Sequence, residues 1–172
     1  MKAALYVGAL IGSAAALFGQ VQPADLDGWD KIKWGITLSE ARTVYKAVIA
    51  PEVTSYGTTL TLDPVRIGDI SMEARLESNH GSDRIIQAQL SRNARAQDFE
   101  TLRTSMIEKY GSPISEKEIR EGGDRIRTVL WGFPSTSVLL TITEDDYFKS
   151  RGPGESRNGV GSITLVYHAI NK

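Results

Sequence analysis

The chain has 172 residues, 20 Lys plus Arg against 21 Asp plus Glu, and no cysteine. Near-neutral charge excludes the basic excess with which proteins neutralise nucleic-acid phosphates. The missing cysteine excludes disulfides, thiol nucleophiles, thiolate metal sites and a lipidated N-terminus, so the fold must be held by packing alone.

Residues 1–19, MKAALYVGALIGSAAALFG, read as an export signal, in which Lys2 precedes an apolar run from Ala3 to Phe18 that ends in small residues. The run falls short of the roughly 20 strongly apolar residues a membrane span requires. Cleavage is expected near Gly19 or Gln20, leaving a periplasmic or secreted protein with no stable membrane anchor. After a polar lead-in over residues 20–28, residues 29–172 are expected to form a single α+β domain.

Trp29 to Trp34 alternates large and polar residues and predicts a short strand closed by Gly35. Thr37-Leu-Ser-Glu40 has capping-box spacing, so a helix should begin at Leu38, bury Ala41, Val44, Tyr45 and Val48, and stop before Pro51. From Thr58 the period changes to two. Leu60 and Leu62 alternate with Thr, then Ile70, Met72, Ala74 and Leu76 alternate with Ser71, Glu73, Arg75 and Glu77. Asn79 to Asp83 is a turn, and Ile86, Ala88 and Leu90 follow on a second strand.

Gln97 to Tyr110 returns to helical spacing, with Phe99, Leu102, Met106, Ile107 and Tyr110 on one stripe before Gly111 and Pro113. The charged stretch from Ile114 to Asp124 reads as a mobile connection. Arg125 to Phe133 and Thr136 to Thr143 predict a second hairpin. Glu144 to Gly161 reads as a long polar loop, and Ser162 to Ile170 as a last strand. The fold class is therefore α+β, an antiparallel sheet with two helices on one face. Two helix-plus-three-strand units and a coincidental order in one sandwich both remain open.

Chemistry-bearing motifs are sparse. His80 and His168 do not sit at ligand spacing, and zinc without cysteine would need both plus a distant carboxylate, so no metal, cofactor or catalytic set is expected. Nucleotide-binding and nucleophile-elbow glycine motifs are absent. Trp34 and Trp131 read as core anchors, and Trp29 as a candidate aromatic contact.

The segment from Trp34 through Thr37 and Glu40, the helix end Glu108-Lys-Tyr-Gly-Ser-Pro113, Val129-Leu-Trp131 and the closing Leu165-Val-Tyr167 carry a resemblance. The chain resembles small exported bacterial proteins of unassigned function with a W-G-x-T-x-x-E opening and a KYG-x-P helix end. Its element order is also similar to tandem helix-plus-antiparallel-sheet modules such as β-lactamase inhibitor proteins and outer-membrane assembly-factor subunits. The resemblance implies export and this architecture; the cysteines of those families are absent here.

The functional expectation is a non-enzymatic binding domain for an unknown protein or peptide, with an interaction face formed by Glu73, Arg75, Glu77, Gln87 and Gln89. A hydrolase using Glu144, Asp145 or Asp146 with His168 is one alternative. A carrier holding a small apolar ligand between helices and sheet is another.

Overall fold

The computed structural model describes residues 24–46, 51–53, 57–94, 96–145 and 161–170, excepting the side chains of Ala94 and Asp145. Residues 1–19, expected to be an export signal, and Val48 lie outside them.

The first strand divides at a turn. Asp30 takes a left-handed backbone (φ 50°), so β1 (Gly28–Trp29) folds back on β2 (Ile32–Lys33). Helix α1 (Leu38–Tyr45) starts where the capping box places it. Glu40 N donates to Thr37 Oγ1 at 3.2 Å, and Thr37 N donates to the Glu40 carboxylate at 2.7 Å. The helix ends at Tyr45, where Lys46 turns left-handed at its C-cap, and Val44, expected on the buried face, is exposed.

Eight strands then form one sheet: β3 (Glu52–Val53), β4 (Thr58–Ile67), β5 (Ile70–Ser78), β6 (Ile85–Ala94), β7 (Ser115–Glu121), β8 (Asp124–Gly132), β9 (Thr136–Asp145) and β10 (Gly161–Ala169). Their spatial order is β3-β4-β5-β6-β10-β9-β8-β7, with every pairing antiparallel. Helix α2 (Ala96–Tyr110) separates the two runs. Each helix is thus followed by a four-stranded meander, and the meanders join at their last strands. Four strands per unit replace the expected three because two strands escape the periodicity.

One is β3, two residues long. The other is β7, whose Ser-Glu-Lys-Glu-Ile-Arg-Glu sequence reads as a mobile connection on propensity. It is an ordered edge strand instead. Its pairing with β8 depends on backbone hydrogen bonds, which side-chain charge does not prevent, and charge is a usual property of strand edges. Gly122 and Gly123, both at positive φ, supply the tight turn between the two strands.

A bulge between Leu62 and Val65 admits Asp63 and Pro64 into β4 without breaking the pairing on either side. Beyond it the alternation holds: Ile70, Met72, Ala74 and Leu76 are buried, and Ser71, Glu73 and Arg75 are exposed. Leu38 and Ala41 of α1 and Phe99, Leu102 and Met106 of α2 join the same core cluster as the inward residues of β4, β5, β6, β8, β9 and β10. Trp34 and Trp131 are core anchors as expected; Trp131 Nε1 donates to the Gly111 carbonyl at 2.9 Å, tying β8 to the end of α2.

Candidate functional site

Strand pleating places side chains of one parity on the buried face and the other parity on an open face. Glu73, Arg75 and Glu77 of β5 stand beside Ser91, Gln89 and Gln87 of β6, so the five predicted face residues form one contiguous patch. Gln87 bridges it to the next strand. Its Nε2 donates to Glu77 Oε2 at 2.8 Å, and its Oε1 lies 3.2 Å from His168 Nδ1 on β10. With Nε2 committed to Glu77, the remaining oxygen accepts, and His168 Nδ1 carries the proton in this contact.

The face continues well beyond the predicted patch. Reading across five strands in register, Arg75, Gln89, Val166, Leu139 and Leu130 form one row. Ser91, Thr164, Thr141, Thr128 and Lys117 form the neighbouring row. At about 4.8 Å between strands each row spans roughly 19 Å. None of these ten side chains is fully buried. The face therefore has a charged and amide zone on β5–β6 that grades into Val, Leu and Thr on β10–β9–β8. Sequence reasoning missed the second zone because Val138-Leu139-Leu140, Leu165-Val166-Tyr167 and Val129-Leu130-Trp131 are apolar at every position, which conceals the parity.

Trp29 is not on this face. It is 6% exposed and packs against Tyr45 and Tyr167, with ring centroids 6.1 and 6.3 Å away, so it serves the core and offers no free aromatic contact.

Of the groups invoked for hydrolysis, Glu144 and His168 do not come together. Glu144 belongs to strand β9, not to a loop, and faces Arg125 and Arg127 at 3.6 and 3.8 Å on the buried side. His168 lies on the open face. Glu144 pairs with Gly161 and His168 with Ser137, so seven positions of β10 separate them, about 23 Å at 3.3 Å per residue. Asp146 lies outside the described residues. His80 sits exposed in the turn after β5.

A cleft of about 390 Å³ opens between α2, β7 and β8. Phe99 and Val129 line it together with Arg103, Arg127, Glu100, Glu116 and Glu118, so its wall is largely charged and poorly suited to an apolar ligand. Several of these charges are paired: Arg103 grips Glu116 at 2.7 Å, and Arg127 pairs with Glu100 while its guanidinium lies 4.4 Å from the Phe99 ring. The Arg125 guanidinium, bonded to Glu118 at 2.7 Å, holds that carboxyl below its usual range.

Among the described residues, no group of three His, Cys, Asp or Glu is placed to hold a metal ion, and no helix is long and apolar enough to cross a membrane. No protein-family model, curated protein or solved structure matches the chain.

Proposed function

We propose that this chain is an exported, non-enzymatic binding domain that engages a protein or peptide through the open face of its sheet, with both helices covering the opposite face. The observation that carries the reading is the in-register row from Arg75 through Gln89, Val166 and Leu139 to Leu130, which grades from charged to apolar on a face where none of these residues is fully buried. Protein interfaces combine these features: an apolar centre for desolvation, and a polar rim for orientation. The N-terminal signal supports an envelope or secreted setting.

Crosslinking and capture of the tagged protein from its native envelope fraction tests this. The expected result is one dominant protein, lost with Arg75→Glu plus Gln89→Lys and with Leu139→Ser plus Val166→Ser, while circular dichroism and the thermal midpoint show a folded chain. Capture that survives both pairs of substitutions would remove the face from the account.

A further inference from the structure

Four oxidisable rings form a continuous series: Tyr45 at the end of α1, Trp29 on β1, Tyr167 on β10 and Tyr110 at the end of α2. Successive ring centroids are 6.1, 6.3 and 6.4 Å apart. Trp29 and Tyr167 are buried while Tyr45 and Tyr110 are half-buried, so the series crosses the core and reaches the surface at both ends. Ring packing alone makes such contacts favourable. What separates the two ends is the partner of each hydroxyl.

The Tyr45 hydroxyl donates to Asp30 Oδ2 at 3.1 Å, within the reach of a proton acceptor. The left-handed turn at Asp30 between β1 and β2 is what sets this carboxylate beside the last residue of α1. The Tyr110 and Tyr167 hydroxyls instead face each other at 3.5 Å, and the Met106 sulfur lies 3.9 Å from the Tyr167 oxygen. Neither a phenol nor a thioether is a base that takes a phenolic proton in neutral water. A cation stands over each terminal ring and opposes removal of an electron from it. The closer one is at Tyr110, where Lys109 lies 5.0 Å from the ring centroid against 6.0 Å for Lys31 over Tyr45.

We propose that this series carries oxidising equivalents out of the core, and that Tyr45, with Asp30 as its proton acceptor, is the site where they emerge. A one-electron oxidant takes an electron from Trp29 and is itself reduced. Tyr45 returns an electron to the indole while its phenolic proton passes to Asp30 Oδ2, leaving Trp29 intact, a neutral phenoxyl radical on Tyr45 and a carboxylic acid at Asp30. Burial raises the Tyr45 hydroxyl above its usual value, so its proton leaves with the electron and not by ionisation beforehand. A Tyr167 that has lost an electron keeps its proton for want of a base, and regains the electron from Trp29. A thiol in solution resets the site: its electron and the proton held by Asp30 restore the Tyr45 phenol, and the thiol, having released its own proton to water, is left as a thiyl radical.

Pulse radiolysis of the purified protein with the azide radical as one-electron oxidant tests this. The expected result is decay of tryptophanyl absorption matched by growth of phenoxyl absorption, at a rate independent of protein concentration and slower in heavy water. Tyr45→Phe keeps a ring against Trp29 and should remove this intramolecular phase. Asp30→Asn keeps a residue that tolerates the left-handed turn but accepts no proton, and should slow the phase about tenfold or more. Tyr167→Phe interrupts the inward branch alone and should leave the phase in place. Circular dichroism and the thermal midpoint establish that each variant is folded. Peptide mapping of the oxidised wild-type chain, which needs no variant, should find oxidation products on Tyr45 ahead of Trp29. A phase that persists unchanged in Tyr45→Phe or Asp30→Asn, its loss in Tyr167→Phe, or products on Trp29 ahead of Tyr45 would each overturn the proposal.

Discussion

Trp34 Nε1 donates to Thr136 Oγ1 across 2.7 Å, joining the β2–α1 connection to the start of β9 over a sequence separation of 102 residues. The same hydroxyl donates to the Leu26 carbonyl, so one buried threonine holds the N-terminal segment onto the sheet. Thr136→Val preserves shape but leaves the indole N–H and the carbonyl without partners. It should cost about 1–3 kcal/mol in guanidinium unfolding followed by tryptophan emission, and Thr136→Ser should recover most of it.

The capping box of α1 gives a second test. Thr37→Ala removes the acceptor for Glu40 N and should cost about 0.5–2 kcal/mol. The Thr37 backbone N–H, and then its hydroxyl, hold the Glu40 carboxyl below its ordinary value. A depressed carboxylate contributes stability above its unfolded pKa that is lost as pH falls, so the wild-type chain should lose this increment in acid. Glu40→Gln should show a flatter acid limb when denaturation midpoints are compared at about pH 7 and pH 3.

At alkaline pH the sign is opposite. Burial, then the neighbouring Tyr110, pushes the Tyr167 hydroxyl well above its usual value, and burial raises Tyr45 likewise. The unfolded tyrosines ionise near pH 10 while the folded ones keep their protons, so stability is fully present below about pH 10 and falls as pH rises through it. Tyr167→Phe should reduce the loss between about pH 8 and pH 11, read as the shift in guanidinium midpoint.

Arg127 should matter more than the partner it grips at the surface. Its side chain is 16% exposed, covers the Phe99 ring and faces Glu144, whose Oε2 is buried and accepts no hydrogen bond. Arg127→Ala should destabilise by about 1–3 kcal/mol, because it strips ring packing and the facing charge together. Glu100, at 55% side-chain exposure, should tolerate Ala within about 1 kcal/mol in the same chemical denaturation experiment.

What the sequence determined by itself was local. Thr37 and Glu40 start α1 because a capping box needs only four consecutive residues, and the alternation from Ile70 to Leu76 assigns a buried side because pleating has a period of two. Those rules also placed Glu73, Arg75, Glu77, Gln87 and Gln89 on one open face. The tertiary structure decided what depends on neighbours distant in the chain. It ordered the charged segment from Ser115 to Glu121 as an edge strand because β8 offered it a complete backbone ladder. It buried Trp29 by setting Tyr45 and Tyr167 beside it. It also aligned Val166, Leu139 and Leu130 into one row, since register between strands is a long-range pairing and runs that are apolar at every position carry no local mark of which face each residue takes.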